Sequence, residues 1–316
     1  MGSVTPLGER IRFVSPRLGA DGDVLTVART IAEKCAVESA AQIHARIARS
    51  GLLALSVPND LGGADITNDV LSQALSIISA ADADAEAAHA LAEHFTALEF
   101  IRNAGSEEQR KTLFARLDLG ETFALASSDA GVDQAVLLTG DDYGLRLPDD
   151  IARSVTSDAD WIVVPAVNTA GQAVLVVLRN RPDTSWDGLL RADQVAFLAQ
   201  GAGNLAASVF TLLKAAVALG EKQRELSALL IDRLAEEGDA RPLIGEIFLA
   251  IELLKAQISR LAANIDAAQV GAESVTFRSV RNNAITLEIL MARLGLIDGA
   301  SESGLIATLG DDLRRQ

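Results

Sequence analysis

The stretch Gly51–Gly63, with the sequence GLLALSVPNDLGG, interrupts a helical pattern near the start of the chain. Its proline and paired glycines are typical of a turn, because proline cannot continue a helix and glycine adopts backbone angles that other residues avoid. Before it, apolar residues recur at helical spacing over Thr26–Ser50. After it, Asp65 or Thr67 is suited to cap a helix that runs to about Ala81. Val57–Gly63 is therefore predicted to be a loop between two helices, with Gly51 at the C-cap of the first.

The helical pattern continues to about residue 120. Ala85–Ala104 is rich in alanine and ends at Gly105, a residue type that commonly terminates helices. Ser106 and Gln109 have the spacing of a capping box, which predicts a short helix to about Leu117. Residues 1–120 are therefore predicted to form an N-terminal helical domain.

The pattern of residue types changes after residue 120. From Glu121 to Gly188, β-branched residues cluster in short runs that are separated by Gly, Asp, Asn and Pro. The predicted strands are Val136–Thr139, Gly144–Leu147, Trp161–Ala166 and Ala173–Arg179. Asn168–Gly171 is suited to join the last two as a hairpin. These residues predict a small antiparallel β domain over 121–189.

Helical spacing of apolar residues returns after residue 190. The predicted helices are Gln194–Leu234, Leu243–Ala268 and Ala272–Leu294. A kink is expected in the first of them, at Gly201–Gly203 or at Gly220. Residues 190–316 are therefore predicted to form a C-terminal helical bundle. The fold class is mainly α, with a β unit between two helical parts.

Composition excludes several classes of protein. The chain has 316 residues, of which 22% are charged, so disorder of the whole chain is excluded. No apolar run reaches the roughly 18 residues that a membrane-spanning helix needs, and no signal peptide is expected. A net charge of −15 argues against nucleic-acid binding, which needs clustered Lys and Arg. The single Cys35 fits a small core residue in a reducing, cytoplasmic setting.

Motifs for metals and nucleotides are weak or missing. The chain has three histidines, and His89 and His94 are five positions apart rather than the four that place two ligands on one helical face. No metal site is expected. Gly201-Ala202-Gly203 resembles the start of a dinucleotide fingerprint but lacks the third glycine and a preceding strand.

Several motifs together resemble those of acyl-CoA dehydrogenases. The loop Gly51–Gly63 is similar to their "GL..L.VP...GG" segment, Ile77–Asp84 to "IA.AD.S", and Gly105–Arg110 to "GS.EQR". The flavin-dependent monooxygenase branch of that superfamily, which includes dibenzothiophene monooxygenase and sulfur-acquisition proteins, is closer. Ala126–Asp129 resembles its "ASSE" segment, and Ser154–Trp161 resembles the approach to its next strand.

The resemblance implies an acyl-CoA dehydrogenase-like fold, FAD or FMN as cofactor, and a small-molecule or acyl-thioester substrate. It also implies a homodimer or homotetramer that assembles through the C-terminal bundle. The chain departs from the family in a shorter middle domain and C-terminus. We find no match to the segments that carry the family's pyrophosphate-binding Arg or its catalytic Glu. Glu288 lies in the final bundle helix, where an exposed position is the ordinary expectation for a Glu.

The resemblance assigns candidate site residues. Hydroxyl and backbone N–H groups at Ser127, Ser128, Thr156 and Ser157 would bind the flavin ring, unless they are ordinary polar residues at strand ends. His94 corresponds to a helix position that faces the flavin in the monooxygenase branch, where it would act as a base or hydrogen-bond donor. The alternative is a polar His on a helix face.

Three functions remain open at this point. The first is a flavin-dependent oxidoreductase with a reduced β domain, which we expect to be a poor acyl-CoA dehydrogenase because no catalytic carboxylate is placed by a motif. The second is a flavin-free homologue that serves as a structural or partner subunit. The third is a helical protein that binds an apolar ligand. Trp161 and Trp186 are expected to be packing residues in each case.

Overall fold

The computed structural model describes Pro16 and residues 18–126, 136–141, 144–148, 158–180, 189–199, 201–233, 241–272, 276–297 and 305–309. The N-terminal part is helical, as predicted. Its helices are α1 (Asp21–Cys35), α2 (Ala40–Ser50), α3 (Asn68–Ala81), α4 (Glu86–Arg102) and α5 (Glu107–Phe114). Short 3-10 turns at Leu52–Ala54, Asn59–Leu61 and Leu117–Leu119 complete it.

The prediction of one helix over Thr26–Ser50 is wrong. Helix α1 ends at Cys35 and α2 begins at Ala40, so the chain turns between them. The side chain of Gln42 accepts a hydrogen bond from the backbone N–H of Ser39 over 2.9 Å and fixes the start of α2. The capping box predicted at Ser106 and Gln109 is confirmed, with the same N–H to Gln bond at 2.8 Å.

The seven described strands form two sheets. They are β1 (Phe123–Leu125), β2 (Val136–Leu137), β3 (Thr139–Asp141), β4 (Gly144–Arg146), β5 (Trp161–Val167), β6 (Ala173–Arg179) and β7 (Val195–Phe197). Strands β3 and β4 pair with each other, and the other five form one sheet with β5 and β6 in its interior. The hairpin predicted between β5 and β6 is confirmed, because Asn168 Oδ1 accepts from the N–H groups of Ala170 and Gln172.

The sheet is mixed, and the prediction of an antiparallel unit is wrong in this respect. Strands β6 and β7 run antiparallel to their neighbours, but β1 and β2 both lie parallel to β5 on its other edge. Parallel neighbours need a crossover of a dozen or more residues, and more than thirty separate β1 from β5. Alternation along a strand shows which residues are buried but not the direction of its neighbour.

The C-terminal part consists of α6 (Ala202–Arg233), α7 (Arg241–Gln269) and α8 (Phe277–Arg293). The predicted start of the first helix at Gln194 is wrong, because Val195–Phe197 forms β7 along β6. The domain boundaries at residues 120 and 189 stay predictions, although β7 joins the sheet beyond the second of them.

Helix α6 lies at the centre of the helical part and runs through Gly220 without a break. The kink expected in this helix stays a prediction. A Cβ atom on Gly220 would lie 2.4 Å from the carbonyl oxygen of Ser76, so this glycine permits a close crossing with α3. The helical segment Ala202–Ile231 is long and apolar enough to cross a membrane, contrary to the expectation from sequence. However, 72% of its most apolar 18 residues are buried within the fold.

The main sheet separates two apolar cores. Phe123, Leu125 and Val163 face the helices and join one large core with α1 to α4 and α6 to α8. Ala124, Ile162 and Val164 face the other way and pack in a smaller core, together with Val136 of β2 and Leu145 of β4. Alternate side chains of a strand point to opposite faces, which explains this division. The edge of β1 thus lies beside the helical part of the protein.

Candidate functional site

A groove of about 1250 Å³ lies between α2, α4 and the β1 edge of the main sheet. Helix α2 contributes His44 to its wall, and the first half of α4 contributes His89 and Glu93. Thr122 and Asp158, which precede β1 and β5, line the sheet side. The groove therefore lies at the end of the β1–β5 pair where both strands begin.

The charged residues that line the groove are acidic. They are Asp84, Glu86, Glu93, Asp158 and Asp160, and no Lys or Arg is among the described residues of the lining. Burial raises the pKa of the Glu93 carboxyl above its ordinary value. Among the described residues, no group of three or more His, Cys, Asp or Glu side chains could bind a metal ion. The groove is thus an anionic surface.

His94 lies on α4 at the floor of the groove, and both of its ring nitrogens bond to the backbone. The N–H of Phe123 donates to Nδ1 over 3.0 Å, and Nε2 lies 3.0 Å from the carbonyl oxygen of Leu53. Because a backbone N–H can only donate, Nδ1 is the unprotonated nitrogen and Nε2 carries the proton. Burial lowers the pKa of His94 to about 4, so the ring is neutral at pH 7.

This geometry bears on the predicted catalytic role of His94. The ring is 2% exposed, and it joins three elements: α4, the loop at Leu53 and strand β1. For either nitrogen to exchange a proton with a bound molecule, one of these backbone hydrogen bonds has to break. The catalytic role stays a prediction, whereas the role of His94 in joining helix and sheet follows from the contacts.

The predicted flavin-binding residues lie outside the part of the chain that the structure describes. These are Ser127, Ser128, Thr156 and Ser157, and Trp186 is outside it as well. Their described neighbours are Ala126, whose N–H donates to the carbonyl oxygen of Val163 over 2.9 Å, and Asp158. Ala126 follows the end of β1, and Asp158 precedes the start of β5, at opposite ends of the parallel pair. That all four residues meet one flavin edge stays a prediction.

Trp161 has the packing role that the sequence suggests. Its ring stacks on Phe123 with centroids 6.1 Å apart and planes at 17°. Its Nε1–H donates to Glu121 over 2.7 Å, and the guanidinium groups of Arg116 and Arg179 lie within 6 Å of the ring centre. These contacts join the start of β5 to the end of the N-terminal helical part.

The buried carboxyl group of Glu99, on α4, was not predicted from the sequence. It is 3% exposed and accepts hydrogen bonds from Asn103 Nδ2 at 2.9 Å and Gln269 Nε2 at 2.8 Å. Burial is the main cause that raises the pKa of Glu99, and Arg102 opposes it. A cavity of about 10 Å³, enough for one water molecule, lies beside it. Its position in the apolar run Phe95–Ile101 was the signal for burial.

The expectation that Glu288 lies on an exposed helix face is wrong. It is half-buried on α8, and the hydroxyl of Thr211 donates to its carboxylate over 2.5 Å. Both residues line a cavity of about 120 Å³ between α6 and α8, together with Lys214. This cavity shares no lining residue with the groove, so Glu288 and His94 belong to separate places in the fold.

The N-terminal part matches a known family in sequence. Residues 19–121 match the acyl-CoA dehydrogenase N-terminal domain. No curated protein is significantly similar to the chain. The matched range includes the loop Gly51–Gly63, the helices α1 to α5, and His94 with its partner Leu53.

Solved structures with the same fold are found in both branches of the superfamily. Dibenzothiophene monooxygenase from Paenibacillus sp. A11-2 aligns with a TM-score of 0.68 at 17% identity, over 89% of each chain. Methanesulfinate monooxygenase from Pseudomonas fluorescens aligns with a TM-score of 0.64 at 16% identity, over 91% of this chain and 87% of the other. Butyryl-CoA dehydrogenase from Megasphaera elsdenii aligns with a TM-score of 0.60 at 16% identity, over 93% and 91%.

These identities establish the fold rather than a shared activity. The predicted resemblance to the acyl-CoA dehydrogenase superfamily, including its monooxygenase branch, is confirmed at this level. The chain has the acyl-CoA dehydrogenase fold, and its residues 19–121 match the acyl-CoA dehydrogenase N-terminal domain.

Proposed function

We propose that the chain is a flavin-dependent oxidoreductase, of the dehydrogenase or the monooxygenase type, that acts on a small molecule or an acyl thioester. One observation supports this most. Strand β1 pairs with Trp161–Val163, and β2 pairs with Ala166–Val167 on the same edge of β5. Residues 127–135, with Ser127 and Ser128 at their start, join β1 to β2 in the chain.

We assign the polar edge of the flavin ring to residues 127–135. Leu125 and Val136 flank this segment in the chain, and both are apolar. The hydroxyl groups of Ser127 and Ser128 would hold the polar edge of the ring. The groove, by contrast, presents only carboxylates as charged groups among its described residues, so it does not fit a phosphate.

FMN and FAD both remain candidates, and bound flavin would supply the electron transfer that the protein's own side chains cannot. The dibenzothiophene monooxygenase with the same fold has been crystallised with FMN. This chain would contribute binding and orientation of the ring at Ser127 and Ser128. We retain the expectation that acyl-CoA dehydrogenation is poor, since Glu288 is bonded to Thr211 in a separate cavity.

Flavin titration tests the proposal. Purified protein should show a flavin absorption band, or should quench the fluorescence of added FMN or FAD at a saturable site. Ser127→Ala combined with Ser128→Ala should weaken binding about thirtyfold, since two lost hydrogen bonds cost roughly 1 kcal/mol each. Thr112→Ala, on the exposed face of α5, is the matched control and should change nothing. If the protein binds neither FMN nor FAD, the proposal is wrong.

A flavin-free homologue, acting as a partner subunit or as an apolar-ligand carrier, is the second candidate. Both nitrogens of His94 are bonded to backbone, which favours a structural use of the residue. If the folded protein is colourless and leaves FMN and FAD fluorescence unchanged, this candidate replaces the first.

We also propose that the protein is a homodimer or homotetramer in the cytoplasm, with no nucleic-acid or membrane partner. Exposed apolar side chains on α7, among them Phe248 and Leu249, support assembly through the C-terminal bundle. A reducing compartment is supported by Cys35, the only cysteine, which has no disulfide partner in the chain.

A further inference from the structure

We propose that His94 is a positioning residue of the proposed flavin site, where its hydrogen bond to Phe123 holds strand β1 in place. This role rests on the proposed function, which assigns the polar edge of the flavin ring to residues 127–135. Strand β1 ends at Leu125, and the chain runs through Ala126 directly into that segment. A shift of β1 therefore changes where the flavin-binding segment begins.

Strand β1 is only three residues long, and it is held from two sides. Towards β5, the carbonyl of Thr122 accepts a hydrogen bond over 3.0 Å, and the N–H of Ala126 donates one over 2.9 Å. The C=O and N–H groups of one trans peptide unit point in opposite directions. Because the Thr122 carbonyl points to β5, the N–H of Phe123 points to α4, where His94 accepts it over 3.0 Å. His94 thus anchors β1 on the side that faces away from β5.

The imidazole ring of His94 is itself held in place. Its Nε2 lies 3.0 Å from the carbonyl oxygen of Leu53, and the ring is in edge contact with Phe95, at 5.4 Å between centroids. Burial lowers the pKa of His94 to about 4, so at pH 7 Nδ1 keeps the lone pair that accepts from Phe123. Exchange of a proton with a bound molecule would break one of these bonds. The contacts therefore favour an anchor over a base.

The anchor affects flavin affinity through the population of one position of β1. Without the bond to His94, β1 can shift, and the residues after Ala126 keep their binding position for only part of the time. The apparent affinity falls by that fraction. The coupling is reciprocal, so a bound flavin must in turn make opening of the bond between His94 and Phe123 rarer.

Titration with FMN and FAD tests this role. His94→Leu removes both hydrogen-bonding atoms and should weaken flavin binding about tenfold, as expected if β1 keeps its binding position about a tenth of the time. His94→Gln retains one acceptor and one donor, and should restore the affinity to within about threefold of wild type. Gly220→Ala is the control for a general loss of stability, because it acts at the crossing of α6 with α3. It should change flavin affinity by less than about twofold.

Hydrogen exchange in wild type is the second measurement, which also serves if His94→Leu does not fold. FMN at about ten times its Kd should slow exchange of the Phe123 amide about tenfold, since opening of β1 then competes with binding. Exchange in helix α1 should not change.

Four results would each overturn the positioning role: wild-type affinity in His94→Leu, equal weakening by Gly220→Ala, no rescue in His94→Gln, or unchanged exchange at Phe123. Absence of rescue would assign the imidazole itself to the flavin. In all four cases wild type still binds flavin, so they contradict only the positioning role. A wild type that binds neither FMN nor FAD overturns the proposed function, and the positioning role with it.

Discussion

The backbone N–H of Phe123 donates a hydrogen bond to Nδ1 of His94 over 3.0 Å, across the junction of the sheet and helix α4. The opposite nitrogen of the same ring bonds to the carbonyl oxygen of Leu53. One neutral imidazole therefore satisfies a donor and an acceptor of two separate backbone segments. The ring is also in edge contact with Phe95, at 5.4 Å between centroids.

Replacement of His94 should destabilise the protein strongly. In His94→Ala the N–H of Phe123 and the carbonyl of Leu53 stay buried without partners, at about 1–3 kcal/mol each. We expect the free energy of unfolding to fall by about 3–5 kcal/mol in urea denaturation, with the cavity included. His89→Ala, an exposed position of the same helix, should change it by less than about 0.5 kcal/mol. Equal effects of the two would contradict this role.

The same residue should make stability depend on pH. Its pKa is lowered from 6.5 to about 4 by burial, so the unfolded chain takes up this proton at a higher pH than the folded one. The stabilisation is complete above about pH 6.5 and is lost as the pH falls towards 4, by about 3 kcal/mol in total. In urea denaturation between about pH 4 and 7.5, wild type should lose stability relative to His94→Gln as the pH falls below about 6.5.

The local features of the fold were accessible from sequence, because they depend on residues a few positions apart. The Ser106–Gln109 box and the Asn168 turn are examples, and the long strands β5 and β6 were found from their β-branched runs. The direction of β1 was not accessible, since it depends on how the chain crosses between distant residues. The role of His94 depends on partners 41 and 29 positions away.

The site was less predictable than the fold for the same reason. The acidic groove assembles residues from α2, α4 and the segment before β5, which no single window of sequence brings together. Glu99 shows the opposite case, because a carboxyl group inside an apolar helical run can be recognised as buried. Its partner Gln269, however, is 170 positions away at the end of α7, and only the three-dimensional structure identifies it.

Glu99 should oppose folding more as the pH rises. Its pKa is raised chiefly by burial, so the unfolded chain ionises at a lower pH than the folded one. Stability is then fully present below about pH 4.5 and is lost as the pH rises through the higher folded value. The Glu99→Gln variant should therefore gain stability relative to wild type between pH 4.5 and 8, measured by urea denaturation. Glu246→Gln, at an exposed position of α7, is the control and should change the free energy of unfolding by less than about 0.5 kcal/mol.

Gly220 should be intolerant of any side chain. A Cβ there would lie 2.4 Å from Ser76 O and 2.7 Å from Ser79 Cβ, so α6 and α3 would have to separate. We expect Gly220→Ala to lower the free energy of unfolding by about 1–3 kcal/mol. Gly245→Ala is the matched control, because nothing lies within 4 Å of its added Cβ. It should raise stability by about 0.5–1 kcal/mol through helix propensity. A neutral Gly220→Ala would contradict the close crossing.

The proposed oligomer places α7 in an interface between copies of the chain. Phe248, Leu249 and Leu253 are 56%, 60% and 43% exposed, whereas Ile247, Ala250, Ile251 and Leu254 on the opposite side of the helix are buried. A helix that is apolar on its outer side as well as its inner one is typical of a buried position, which a second copy would provide. Light scattering at micromolar concentration should therefore give a dimer or tetramer.

Charges on this face should dissociate the oligomer. Leu249→Glu combined with Leu253→Glu would bury carboxylates without partners in the interface, and the expected product is a folded monomer with an unchanged far-ultraviolet spectrum. Val37→Glu, at a 76% exposed apolar position between α1 and α2, is the control and should leave the mass unchanged. A monomeric wild type, or a charged variant that keeps the wild-type mass, would show that α7 faces solvent and that its apolar residues serve another purpose.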